Sequence, residues 1–294
     1  MTVLLCAKNA QDTVGLALRS TLRAMPRDAE LRVLDDGSSD GTYAVMASVQ
    51  DPRVVLGSVP RSLGWTAARQ RLLDESDSAF VAIMDADDVT FPWRFWAQRR
   101  ELGDADLLFS PIVSFGRRAR DLRPSLPVPI SVAAAPLHLM LGSLLSHPTM
   151  YARREALVEV GGYRDGSIAE DYDLQLRVLA AGGRIRRGAV PVLGYRVGSG
   201  QVSSGGEFLG RAGAAGMVSE SHRAMMRREF GWASSAEPNP CDLWQIIDRE
   251  AISRRLGRAQ RALIHRYARM VLGSRQPGCE PGPPGPRTTS DHGR

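Results

Sequence analysis

Residues 80–88 read Phe-Val-Ala-Ile-Met-Asp-Ala-Asp-Asp, a short apolar run that ends abruptly on Asp85, Asp87 and Asp88. An apolar run of this length reads as a buried strand. Carboxylates crowded at its exit make a poor core. They do offer a hard cation such as Mg²⁺ or Mn²⁺ the oxygen ligands it takes, and such a cation grips phosphates. An acidic loop capping the next helix would account for the same residues, so the flanking pattern has to decide.

That pattern is regular. Residues 2–7 form a first apolar run, and residues 11–25 follow with helical periodicity through Val14, Leu16, Leu18, Leu22 and Met25. Leu31–Leu34 is a second strand, ending in Asp35-Asp36-Gly37-Ser38-Ser39-Asp40-Gly41-Thr42, a dense turn that opens a helix over 42–49. A third strand over 54–59, a helix over 66–75 and the fourth strand over 80–84 complete the series. Strands alternating with helices predict a parallel or mixed sheet with right-handed crossovers. In such sheets ligands bind beyond the carboxyl ends of the strands, which is where these Asp clusters lie.

Further on, the prolines at 124, 127 and 129 make 117–136 a loop, with a helix expected at about 136–145. After His147-Pro148-Thr149-Met150 come a short strand, a helix over 155–160 stopped by Gly161-Gly162, and a helix over 171–182 stopped by Gly182-Gly183. One or two short strands follow in 184–197, then a Gly/Ser loop over 198–206. Residues 242–272 read as one long amphipathic helical region, and 276–294 as a disordered tail.

The 294 residues, 43% of them hydrophobic, are ample for one large domain with an extension. No stretch approaches the ~18–20 apolar residues of a membrane span, and MTVLLCAKNA is no secretory signal. Cys6, Cys241 and Cys279 suggest neither a disulfide framework nor a zinc site, so a reducing cytoplasm is expected. The net charge is +6, with Lys8 the only lysine. Between 249 and 275 eight arginines face one acid, Glu250. That reads as a solvated helix face or a partner surface of anionic lipid; no nucleic-acid partner is expected.

The DDGSSDGT turn fails as a calcium loop because position 47 is Ala. It fails as a phosphoaspartate site because no lysine follows it. A plain capped turn or a nucleotide site remains; a carboxylate at a strand end can accept from a base's ring N–H, and the glycines let backbone approach the ligand. A third cluster, Glu170-Asp171-Tyr172-Asp173, stands at a helix start, where capping accounts for one carboxylate and hardly for three. The helix field is expected to keep Asp171 ionised, as a general base for a hydroxyl requires. His147 is expected to be structural, Trp93 and Trp96 to pack the helix after the acidic loop, and Met225, Met226 and Met270 to be core. Trp65 and Trp93 are also of a type that stacks on sugars.

The order Lys8-Asn9-Ala10, LDDGSSDGT, Gly64 with Ala68-Arg69, MDADD with Pro92, Gly161-Gly162-Tyr163 and Ala169-Glu170-Asp171-Tyr172-Asp173-Leu174 with Arg177 resembles the family 2 glycosyltransferases over about residues 1–205. The resemblance implies an α/β chain: a GT-A type Rossmann-like mixed sheet flanked by helices, with a C-terminal helical extension. It divides the chain into a catalytic domain over 1–205 (nucleotide-sugar half 1–115, acceptor half 116–205), an extension over 206–275 and the tail over 276–294. It implies inverting transfer of one sugar from a nucleotide-sugar donor, with a UDP-sugar expected, to an acceptor hydroxyl. Asp35 would meet the base, Lys8, Asn9, Arg69, Asp85 and Ala86 would line the donor, and Asp87 would hold Mg²⁺ or Mn²⁺ on the diphosphate. Asp171 would be the base, with Glu170, Gly162 and Tyr163 on the acceptor side.

Four departures stand out. Cys6-Ala7-Lys8 replaces the usual Pro, small residue and Tyr; Gln70 replaces a usual Asn; Gly198 stands where many members have a metal- or diphosphate-touching His; and the Gln-x-x-Arg-Trp motif of processive polymerases is absent. A nucleotidyltransferase and a catalytically inactive nucleotide-sugar-binding module are the competing readings. The expected location is the cytoplasm, with peripheral contact to an anionic membrane through 242–272.

Overall fold

The computed structural model describes residues 1–116, 121–165, 169–198, 216–234 and 236–273. The loop expected at 198–206 and the tail at 276–294 lie essentially outside them. The described residues divide into two compact units, the first closing at Trp232 and the second opening at Ala233.

The first unit starts as its apolar runs dictate. Strands β1 (Thr2–Ala7), β2 (Glu30–Asp35), β3 (Val54–Ser58) and β4 (Phe80–Asp85) pair in parallel in the order β3-β2-β1-β4. Helices α1 (Val14–Ala24), α2 (Thr42–Ala47) and α3 (Trp65–Asp74) make the crossovers. β1 is buried on both faces, Val3 and Leu5 with Leu4 all at 1% exposure or less, which is why it reads as a continuous apolar run. Past β4 the chain makes the short β5 (Val89–Thr90), α4 (Arg94–Leu102), β6 (Leu107–Phe109), β7 (Ile112–Phe115) and β8 (Arg123–Pro124). Then come α5 (Ala135–Leu139), β9 (Tyr151–Arg153), α6 (Arg154–Glu159), α7 (Glu170–Ala181), β10 (Ile185–Arg187), β11 (Leu193–Arg196) and α8 (Gly216–Phe230). β9 inserts antiparallel between β4 and β6, so the main sheet is mixed, with order β10-β6-β9-β4-β1-β2-β3. A smaller sheet, β5-β11-β7-β8, stands where β4 runs out.

Several expectations are corrected. α5 stops at Leu139, short of 145. Trp96 does not pack α4: it is 66% exposed, and Arg94 and Phe95 are the buried side chains at that helix start. Met225 and Met226 are fully buried, but Met270 is exposed. Cys6 is free.

In the second unit the helical region is two helices, α9 (Pro240–Ser253) and α10 (Arg258–Leu272). The break falls at Arg255, which takes a left-handed φ of 52°, just before Gly257. Asn239 caps α9, accepting from the Cys241 and Asp242 N–H groups while Asp242 returns a bond to the Asn239 N–H, a reciprocal capping box. Trp244 of α9 stacks on His265 of α10 at 5.9 Å. No helix among the described residues is long and apolar enough to cross a membrane.

Candidate active site

The carboxyl ends of β1, β2 and β4 bring the sequence motifs together, because register aligns those ends: Cys6 pairs with Leu34 on one side and Asp85 on the other. Asp35 is buried, and its Oδ1 has no hydrogen-bond partner. A buried lone pair without a partner is costly, so this oxygen is suited to a donor brought by a ligand. Asp36 beside it is satisfied: it accepts from Ser62 Oγ at 2.6 Å and from the Leu63 and Gly64 N–H groups at 2.6 and 3.2 Å. It thereby fixes the loop that leads into α3. Lys8 is exposed. Asn9 adopts a φ of 50° and spends its side chain on the loop, accepting from the Ser39 N–H at 2.9 Å.

Arg69, one turn into α3, connects two of the acidic clusters. Its Nη2 donates to Asp85 at 3.1 Å and its Nη1 to Glu170 at 2.6 Å. One guanidinium therefore holds the end of β4 to the start of α7, with all three side chains largely shielded from water. Burial and the charge of Asp171 push the Glu170 carboxyl up to about 7, against the pull of Arg69.

Asp171 lies in the first turn of α7. Ala169 is the N-cap of α7, with no side-chain cap bond, and the Tyr172 N–H donates to Asp171 Oδ1 at 2.8 Å. That bond and Arg69 favour the charged form, but burial outweighs them, and the carboxyl is raised above its ordinary range. Asp173 is a structural member of the cluster: fully buried, it takes the Arg177 Nε at 2.7 Å and the Ser221 hydroxyl at 2.6 Å.

The turn before α7 is gripped from both sides. Gly162 has a φ of 62°, and a Cβ there would lie 2.1 Å from Gln70 Oε1. That same oxygen accepts the Tyr163 N–H at 2.6 Å, while Arg177 donates to the carbonyls of Val160 and Gly162. The Tyr163 hydroxyl meets His147 Nε2 at 3.0 Å, and burial holds this histidine neutral by pulling its pKa well below the ordinary value.

In the acidic loop Ala86 is buried and Asp87 half-buried. Arg196 of β11 backs the loop, its Nε donating to the Asp87 carbonyl at 2.7 Å and its backbone N–H to Asp88 Oδ1 at 2.9 Å. Asp88 Oδ2 is buried without a partner, and burial with the charges of Asp85 and Asp87 pushes this carboxyl up. Beneath lies Arg94, fully buried, donating through Nη2 to the carbonyls of Ile83 at 2.6 Å and Pro148 at 2.8 Å.

Sequence reasoning missed Arg94, Arg196 as a backstop and the grip of Gln70 on the Tyr163 N–H. For Gln70 there was a signal, its departure from the usual Asn. The others are side chains of common type whose partners are remote in sequence.

Residues 2–117 match the sequence profile described as glycosyl transferase family 2. That match covers less than half of the chain. Among curated relatives of this chain, the succinoglycan biosynthesis protein ExoO of Rhizobium meliloti (strain 1021) is 27% identical over 63% of this chain and 57% of its own length. ExoU of the same organism, also a succinoglycan biosynthesis protein, is 38% identical over 31% of this chain and 27% of its own length, so the chain spans well under two thirds of both. The UDP-Glc:alpha-D-GlcNAc-diphosphoundecaprenol beta-1,3-glucosyltransferase WfaP of Escherichia coli is 22% identical over 69% of the chain and 80% of its own length. Among solved structures, S. aureus TarS 1–349 in complex with UDP-GlcNAc superposes with a TM-score of 0.57 at 16% identity, covering 92% of this chain and 71% of that one. The chain thus has the GT-A fold.

Proposed function

We propose that the chain is a metal-dependent, inverting glycosyltransferase that moves one sugar from a UDP-sugar to an acceptor hydroxyl. The observation that carries the reading is the Arg69 bridge, which sets the acidic exit of β4 against the acidic start of α7. In this reading Asp35 offers its partnerless oxygen to the base, and Lys8, Asn9, Arg69, Asp85 and Ala86 border the donor. Asp171 takes the acceptor proton. Its raised pKa suits that task, since a base works best when its pKa approaches the working pH. Glu170, Gly162 and Tyr163 shape the acceptor side.

A divalent cation fits the residues present. The donor set is all oxygen, and a buried Asp88 oxygen without a partner, beside Asp85 and Asp87, is what a cation would relieve. Among the described residues no cluster of three or more ligand side chains gathers around one point. Asp87 would therefore hold Mg²⁺ or Mn²⁺ jointly with the diphosphate, and the ion would neutralise the leaving group.

The acceptor in this reading is lipid-linked, as the name of WfaP gives for that relative. The exposed arginines Arg255, Arg258, Arg261, Arg266 and Arg269 would rest on anionic headgroups at the inner face of the membrane. The test is release of UDP from UDP-glucose or UDP-GlcNAc with Mn²⁺ and with EDTA. Cation-dependent UDP release, abolished in Asp87→Ala, is expected. Pyrophosphate release would make the chain a nucleotidyltransferase, and binding without turnover an inactive module.

A further inference from the structure

The acidic turn that leaves β4 is weakly closed by its own backbone. The bond from the Asp88 N–H to the Asp85 carbonyl is 3.4 Å long, beyond the ordinary range for such bonds. What shapes the turn comes from β11, remote in sequence. Leu193 pairs with Thr90 and Gly194 with Val89, antiparallel, and two residues further along that register Arg196 reaches Asp87. There it grips the turn twice. Its backbone N–H donates to Asp88 Oδ1 at 2.9 Å, and its Nε donates to the Asp87 carbonyl at 2.7 Å. The guanidinium is itself seated over the Phe115 ring, 4.8 Å from its centre, and the Val197 N–H donates to the Phe115 carbonyl at 2.8 Å. β7 thus braces β11, and β11 braces the turn.

Holding the carbonyl of Asp87 and the carboxyl of Asp88 together fixes the peptide plane that leaves Asp87. The direction of the Asp87 Cα–Cβ bond is therefore set by β11 and not by the turn alone. Groups that orient a metal ligand carry metal affinity without touching the metal. We infer that Arg196 is a positioning residue: through the Asp87 carbonyl it aims the Asp87 carboxylate at the cation on the diphosphate. This rests on the cation-dependent function proposed above. The role asks for an N–H at the position of Nε rather than for a charge. That sets it apart from an arginine that pairs with the diphosphate directly.

The test compares wild type, Arg196→Gln, Arg196→Lys and Arg196→Met in two binding measurements. Electron paramagnetic resonance of free Mn²⁺ reports how tightly the ion is held with UDP present, and calorimetry in EDTA reports UDP alone. Glutamine places an amide N–H where Arg196 has Nε and drops the charge. Lysine keeps the charge and has a methylene there, and methionine has neither. Arg196→Met and Arg196→Lys are expected to weaken Mn²⁺ binding by about tenfold or more, with Arg196→Gln near wild type and UDP affinity in EDTA unchanged throughout. Arg196→Gln falling as far as Arg196→Met while Arg196→Lys stays near wild type would overturn the inference in favour of a charge on the diphosphate, as would weaker UDP binding in EDTA. Unchanged Mn²⁺ affinity in Arg196→Met would overturn it outright. Should Arg196→Met not fold, the contrast of Arg196→Gln with Arg196→Lys decides the same point. Failure of the underlying reading looks different, because the wild type then holds no Mn²⁺ in the presence of UDP.

Discussion

At the residue scale the two carboxylates that open α7 impose opposite pH trends on stability and activity. Glu170 and Asp171 are both raised, so the fold favours their protonated forms. The stability that Glu170 contributes is therefore present below its ordinary value of about 4.5 and is lost as pH rises toward about 7. The proposed base works only when deprotonated, so activity falls as pH drops through the raised value of Asp171. A kcat/KM–pH profile should show its acid limb above the ordinary Asp value of about 4. Melting temperature, followed across the same window, should lose part of its slope in Glu170→Gln. An acid limb at or below pH 4 would exclude Asp171 as the base. Asp171→Asn should bind UDP-sugar as wild type does and lose transfer by roughly 10²–10⁴-fold. Gln70→Asn, one methylene too short to reach the Tyr163 N–H, should lower kcat more than donor KM, because what it frees is the turn before α7 and not the donor.

The elements show where sequence was legible. The first four strands and three crossover helices follow from apolar periodicity, and their starts and stops fall within a few residues of the expected ones. The reason is physical: β1 is buried on both faces and β2 and β4 end in acids, so pattern and environment agree there, while β3 is a half-buried edge strand. The reading weakens where contacts are remote. Arg94 looks like one more arginine of an arginine-rich chain, yet it lies fully buried and donates to carbonyls of β4 and of the 147–149 turn. Trp96, the better core candidate by type, stands in solvent. Arg94→Ala should destabilise the fold by roughly 3–5 kcal/mol, since it leaves those carbonyls and Asp88 without their cation. Urea unfolding of variant and wild type measures this, and a loss under about 1 kcal/mol would mean that the carbonyls find other donors. The single helix expected over 242–272 is two for a similar reason: periodicity persists through Arg254–Gly257, but one left-handed residue reverses the chain.

For the whole molecule, the site was legible as a list and not as an arrangement. The motifs named Asp35, Asp85, Asp87, Glu170 and Asp171; that one arginine joins Asp85 to Glu170 depends on β9 and α7 returning to the sheet late in the chain. The second unit makes its own prediction. On the proposed membrane contact its exposed arginines would each add about 1 kcal/mol of attraction to an anionic bilayer, screened beyond about 10 Å at 0.1 M salt. Flotation with phosphatidylglycerol vesicles should recover the protein at low salt and release it at high salt. Recovery that is absent at low salt, or indifferent to salt, removes the membrane contact from the proposed function.

α3 carries a consequence for anyone altering donor choice. Its leading loop hangs on Asp36, while Arg69 and Gln70 on its flank hold Glu170 and the Tyr163 turn. At 10 residues it is a rod of about 15 Å with no internal hinge. A remodelled 60–64 loop that tilts the rod by a fraction of an ångström moves the chemistry at its far side by a similar amount. On the proposed function, donor preference and acceptor turnover would be mechanically geared, and libraries at that loop should yield them as a trade-off unless positions 69 and 70 are varied together with it.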